Sequence, residues 1–160
     1  MVSLAGRELL LDSNVLLLLF VGLFDRSRIA RFKNTEQFTS GDFDLLLEFI
    51  GRFSAILATP HIFTEVSNLA GQLGEPARSE LFAILRERLL VLAEEHVPAT
   101  TAASNAAFIR LGLTDSAIAS LTVSRPRCSV LTTDFDLWVY LVSSGIDATN
   151  FNHLRSSLLR

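Results

Sequence analysis

Cysteine is almost missing from the chain. Cys128 is the only one in 160 residues, which excludes an intramolecular disulfide and any cysteine-based metal site, and fits a cytoplasmic setting. Lysine is as scarce, with Lys33 alone. Charge of either sign is modest: charged residues make up 19% and the net charge is −3. Such a chain does not grip nucleic acid through bulk charge, although an acidic site beside a local basic patch is compatible with it. Long apolar runs are lacking too, despite a hydrophobic fraction of 49%. The longest, Val15 to Phe24, is ten residues and is bracketed by Asp12 and Asp25. A membrane span needs about 20, so this run reads as a buried helix and no membrane partner is expected. Two acidic residues precede it and no small-x-small cleavage pattern follows, which argues against a signal peptide. No G-x-x-x-x-G-K phosphate loop occurs. With no repeat, low-complexity tract or linker either, residues 1–160 read as one domain carrying a polar, basic insert at about 25–41.

What is present is an alternation of short apolar runs with amphipathic ones. ELLL ends at Asp12, and Ser13 or Asn14 is placed to cap a helix to about Phe24. After the insert, Ser40 or Asp42 is placed to cap a second helix. SAILA is a strand running into a helix capped by Thr59 with Pro60 in its first turn. A helix is expected over about 76–88, a strand or helix at LLVLAEE, and a helix from Pro98 to Gly112. Thr114 is placed to cap DSAIASLTV, which Pro126 terminates. CSVLTT is a strand, DFDLWVYLVSSG a helix, IDATNF a short strand and the tail a closing helix. Strands that are continuous apolar runs imply a sheet covered on both faces. The predicted fold is therefore α/β: a three-layer α/β/α sandwich with a central, mostly parallel sheet and right-handed crossovers. In such sheets ligands bind beyond the carboxyl ends of the strands.

Four acids fall at that edge. Asp12 follows the first strand and Asp134 the strand SVLTT; Glu65 lies one to two turns into the helix after SAILA, and Asp115 sits in the first turn after Thr114. Each alone has an ordinary explanation, as a helix cap, a dipole-suited acid or a solvated charge. Together they form an oxygen-rich set suited to hard divalent ions, Mg²⁺ or Mn²⁺. One or two such ions among carboxylates promote phosphodiester hydrolysis. Asp136, two residues beyond Asp134, is a fifth candidate ligand or a solvated acid.

The strings LLLDSNVLL, TPHIFTEVSNLA, RLGLTDSAIASL and VLTTDFDLWVYLVSSG, in that order over about residues 8–151, resemble the signature segments of the PIN domain family. They are most similar to the toxin ribonucleases of VapBC toxin–antitoxin systems. The resemblance implies a PIN-like fold and a metal-dependent endoribonuclease, with Asp12, Glu65, Asp115 and Asp134 as catalytic metal ligands. Ser13, Asn14, Thr132 and Thr133 match the family's supporting polar positions. The implied partners are an RNA substrate, a small antitoxin protein and a second copy of the chain in a homodimer. The first acid lies later, and the 25–41 insert is longer, than in compact toxins. An RNA-processing nuclease of the same fold, and a non-catalytic RNA- or protein-binding module, stay open beside the toxin.

Other residues carry weaker signals. Arg26, Arg28, Arg31 and Lys33 crowd one stretch without an acid; they are an RNA-phosphate-contacting arm or a solvated face. Phe32 is a stacking ring or a loop anchor. Asn68 is able to orient water near Glu65, or is simply at the surface. His61 lies four residues before Glu65, on one helical face with it, but a zinc site needs more ligands nearby; His96 and His153 lack metal-ligand spacing, and Trp138 reads as core. A haloacid-dehalogenase-type phosphatase is disfavoured because the second aspartate of its D-x-D signature is replaced here by Asn14.

Overall fold

In the computed structural model, which describes residue 4 and residues 6–158, a five-stranded sheet is built from β1 (Glu8–Leu11), β2 (Ala55–Ala58), β3 (Ala93–Glu94), β4 (Cys128–Thr132) and β5 (Ala148–Asn150). The order is β3-β2-β1-β4-β5 and every pairing is parallel. β1 is central, with Leu10 opposite Leu57 on one side and Val130 on the other. Leu9, Leu10 and Leu11 are fully buried, which explains the unbroken apolar run: both faces of this strand are covered. The helices are α1 (Ser13–Phe24), α2 (Ser40–Ile50), α3 (Pro60–Ala70), α4 (Ala77–Leu89), α5 (Ala99–Ala103), α6 (Phe108–Leu111), α7 (Leu113–Ser124), α8 (Phe135–Ser143) and α9 (Phe151–Ser157). They flank the sheet in the three-layer α/β/α arrangement expected.

The apolar run after Asp12 becomes α1, buried from Val15 through Gly22 and packed against α2, α3 and α4. A helix apolar on all sides belongs inside. Gly22 permits its approach to α2, because a Cβ there would lie 2.2 Å from the Phe43 ring. Among the described residues no helix is long and apolar enough to cross a membrane.

Several local expectations are corrected. Asp12 itself caps α1, its carboxylate accepting from Ser13 N, in place of Ser13 or Asn14. Thr39 caps α2 through a reciprocal box with Asp42, whose side chain accepts from the Thr39 amide. The stretch from Pro98 to Gly112 is two short helices, because Asn105 forms a turn by accepting from Ala107 N and anchoring to Ser120 Oγ. Thr114 is not a cap: α7 begins at Leu113, with Gly112 at its N-cap and φ of +83°, a backbone that favours glycine. LLVLAEE contributes only the two-residue β3. The 25–41 insert is compact, with a 3-10 turn at Arg26–Arg28 and with Ile29, Phe32, Thr35 and Phe38 buried. Thr35 Oγ1 donates to the Ile29 carbonyl at 2.8 Å. Phe32 is thus an anchor and not an exposed stacking ring.

Candidate functional site

In a sheet of this order the connections leave in opposite directions on either side of β1 and β4, so a crevice opens at their carboxyl ends. Asp12 follows β1 and Asp134 follows Thr133 after β4, and both stand at that opening. Each is also an N-cap: Asp12 Oδ1 accepts from Ser13 N at 2.7 Å, and Asp134 Oδ1 accepts from Leu137 N at 3.0 Å. Capping and facing the crevice are the same placement, since the helix that leaves each strand starts there. The helix N-termini add a positive end to the field on both carboxylates.

Glu65 reaches the crevice from α3 and Asp115 from the first turn of α7. All four acids line one open cleft of about 400 Å³, together with Ser13 and Asn14. Gly112, Leu113 and Thr114 form the wall on the α7 side. Two further bonds hold Glu65 in place. Ser13 Oγ donates to its Oε2 and Thr114 Oγ1 to its Oε1, each at 2.6 Å. Thr132, fully buried, donates from Oγ1 to Asp12 Oδ2 at 2.6 Å and accepts at the same oxygen from Asp134 N at 2.9 Å. One hydroxyl therefore sets the spacing between the first and last acids.

Electrostatics mark the same spot. Asp12 is only 5% exposed. Burial pushes its carboxyl above the ordinary range; the Thr132 and Ser13 hydrogen bonds oppose this, and the charges of Glu65 and Asp134 add to it. Asp115 is half-buried, and burial followed by the charges of Asp12, Asp134 and Glu65 pushes it up to about 7. Among the described residues no lysine or arginine forms an ion pair with any of the four. Carboxylates gathered without a countercharge repel one another, and a bound cation would neutralise that repulsion. As they stand, no three acid, His or Cys side chains among the described residues are drawn together as a bound ion would hold them. The donor set is all oxygen and acidic, which fits Mg²⁺ or Mn²⁺ and not a thiolate-seeking ion.

The other candidates fall elsewhere. Asp136 is exposed, does not line the cleft, and pairs with Arg110 at 3.1 Å. Thr133 offers its carbonyl to Asn152 Nδ2 at 3.4 Å, while the hydroxyl role belongs to Thr132. None of Arg26, Arg28, Arg31 and Lys33 lines the cleft. Arg26 pairs with Asp44, Arg28 with Asp25, and Arg31 bonds the Ser27 carbonyl. Asn68 is exposed and outside the lining. Thr114 is the residue whose part was missed, because its spacing before a helical run looks the same for a cap and for a hydroxyl that reaches across to α3. No family model matches the chain, and no curated protein matches it.

Proposed function

We propose that the chain is a metal-dependent endoribonuclease that hydrolyses phosphodiester bonds of RNA at this cleft. The observation that carries the reading is the convergence of Asp12, Glu65, Asp115 and Asp134 from four separate segments on one cleft, with no basic side chain among the described residues paired to them. A stable fold gains nothing from such a cluster, whose charges repel, so its value lies in what it binds. These four carboxylates would hold one or two Mg²⁺ or Mn²⁺ ions, which when bound supply Lewis acidity toward a phosphodiester.

The chain's own residues do the positioning. Thr132 and Ser13 N orient Asp12, and Ser13 Oγ and Thr114 orient Glu65, so neither carboxylate has to be ordered when a cation arrives. The Asp115 carboxyl, pushed up to about 7, would give up its proton more readily once positive charge enters the cleft. RNA contact by the basic insert would rest on Lys33 and Arg31, since Arg26 and Arg28 are paired with acids of the protein. The resemblance to PIN toxin ribonucleases supports a place in a type II toxin–antitoxin pair. A homodimer and a small antitoxin belong to that proposal.

Incubation of the purified chain with total RNA and Mn²⁺ tests the reading. Cleavage should appear and should fall by about two orders of magnitude or more in Asp115→Asn. Calorimetric binding of Mn²⁺ without cleavage would favour a non-catalytic module; undiminished cleavage by Asp115→Asn would dismiss this site.

A further inference from the structure

One aromatic side chain, next in sequence to an acid of the cleft, is left largely uncovered. Phe135 directly follows Asp134, opens α8, and is 59% exposed. Its ring centroid lies 5.6 Å from that of Trp138, tilted by 44°. Trp138 is in turn met edge-on by His153 of α9, with centroids 4.8 Å apart. The indole is pinned as well, Nε1 donating to the Ala148 carbonyl of β5 at 3.3 Å. Three rings thus stand in series from α8 to α9, with Phe135 next in sequence to a carboxylate of the cleft and the indole between the other two pinned.

A flat apolar ring already held in one orientation loses little freedom when a second flat ring settles on it. Nucleobases offer such faces, and aromatic side chains beside a backbone-tracking groove are the usual way to hold unpaired ones. Bases in a duplex are already stacked and paired, so the ring would discriminate for single strands. We propose that Phe135, backed by Trp138 and His153, is a stacking platform for an unpaired base of a single-stranded nucleic acid whose adjoining phosphate enters the acidic cleft. The proposal rests on the nuclease reading for the phosphate, while the stacking itself is measurable without cleavage.

Trp138 is the only tryptophan in the chain, so its emission reports events at Phe135. A short single-stranded oligoribonucleotide is titrated into the protein with Ca²⁺ in place of Mg²⁺, and again in chelator. Emission and the anisotropy of a labelled strand are followed together. A saturable emission change is expected with the single strand and not with a duplex of the same sequence. Phe135→Ala should weaken binding about tenfold, within the range for loss of one stacked base, and Phe135→Tyr should restore it. An abasic substitution in the strand should weaken wild-type binding equally and add nothing in Phe135→Ala. Unchanged affinity in Phe135→Ala, equal binding of intact and abasic strands, or no binding in either condition overturns the platform. So does sedimentation in which Phe135→Ala converts a dimer to a monomer, which would assign the ring to an interface between copies. Cleavage in Mn²⁺ is scored separately. Strands cut by wild type and bound and cut normally by Phe135→Ala leave the nuclease without the platform. Strands that stack on Phe135 but are never cut leave the platform without the nuclease.

Discussion

Replacing Asp115 by asparagine should make the metal-free protein more stable. The side chain is half-buried, takes no hydrogen bond from another described residue, and caps no helix, so the near-isosteric amide removes charge and little else. Its carboxyl is pushed from 3.8 up to about 7 by burial and by Asp12, Asp134 and Glu65. At about 1.4 kcal/mol per unit of pKa, taken in full this would be about 4 kcal/mol; solvent screening at a half-buried site reduces it to about 2 kcal/mol. The folded state binds the Asp115 proton more tightly than the unfolded state does. The destabilisation is therefore fully present above about pH 7, and is relieved as pH falls through 7 toward 3.8. Thermal melts in chelator at pH 8 and pH 5 measure this. The variant should melt about 4–8 °C above wild type at pH 8, and the gap should close toward pH 5. Subtracting the two curves cancels histidine titration common to both proteins. Millimolar Mn²⁺ should then reverse the order at pH 8, because the ion binds the folded wild type more tightly than the variant. A variant that melts below wild type in chelator at pH 8, or a gap that ignores both pH and Mn²⁺, would refute the shared-charge reasoning.

Thr132→Val removes the hydroxyl that joins Asp12 Oδ2 to Asp134 N in a buried position. It should cost about 1–3 kcal/mol in denaturant unfolding and lower RNA cleavage, whereas Thr132→Ser should retain most of both. Gly22→Ala would put a Cβ 2.2 Å from the Phe43 ring. It should destabilise by about 1–3 kcal/mol as an overpacked contact, read as a lower melting temperature, and trimming Phe43 to leucine should recover part of the loss.

Sequence and structure agree best where burial alone decides. ELLL, AILA and CSVLT are strands within a residue or so of expectation, because an apolar run of four or five between turn signals has nowhere to go but the middle of a sheet. They agree least at helix starts. Thr39, Gly112 and Asp12 cap helices in place of the Ser40 or Asp42, Thr114, and Ser13 or Asn14 expected. Neighbouring small polar residues have similar capping ability, and small differences in backbone geometry choose among them. The segment 25–41 reads as a polar, basic insert because its charges are conspicuous. Its fold depends on four residues, Ile29, Phe32, Thr35 and Phe38, whose burial needs the rest of the molecule.

The α/β class, the buried helix after Asp12 and the edge that carries the four acids are legible in the residues, since strand ends and helix starts are local properties. Which hydroxyls serve those acids depends on how distant segments pack. Ser13 and Thr114 reach Glu65 across 52 and 49 residues of chain, and Thr132 reaches Asp12 across 120. Packing also turns Asp136 to Arg110 and leaves Phe135, next to Asp134, uncovered. Hydrogen bonds and exposure of this kind depend on how separate elements pack, and no run of neighbouring residues encodes that distance.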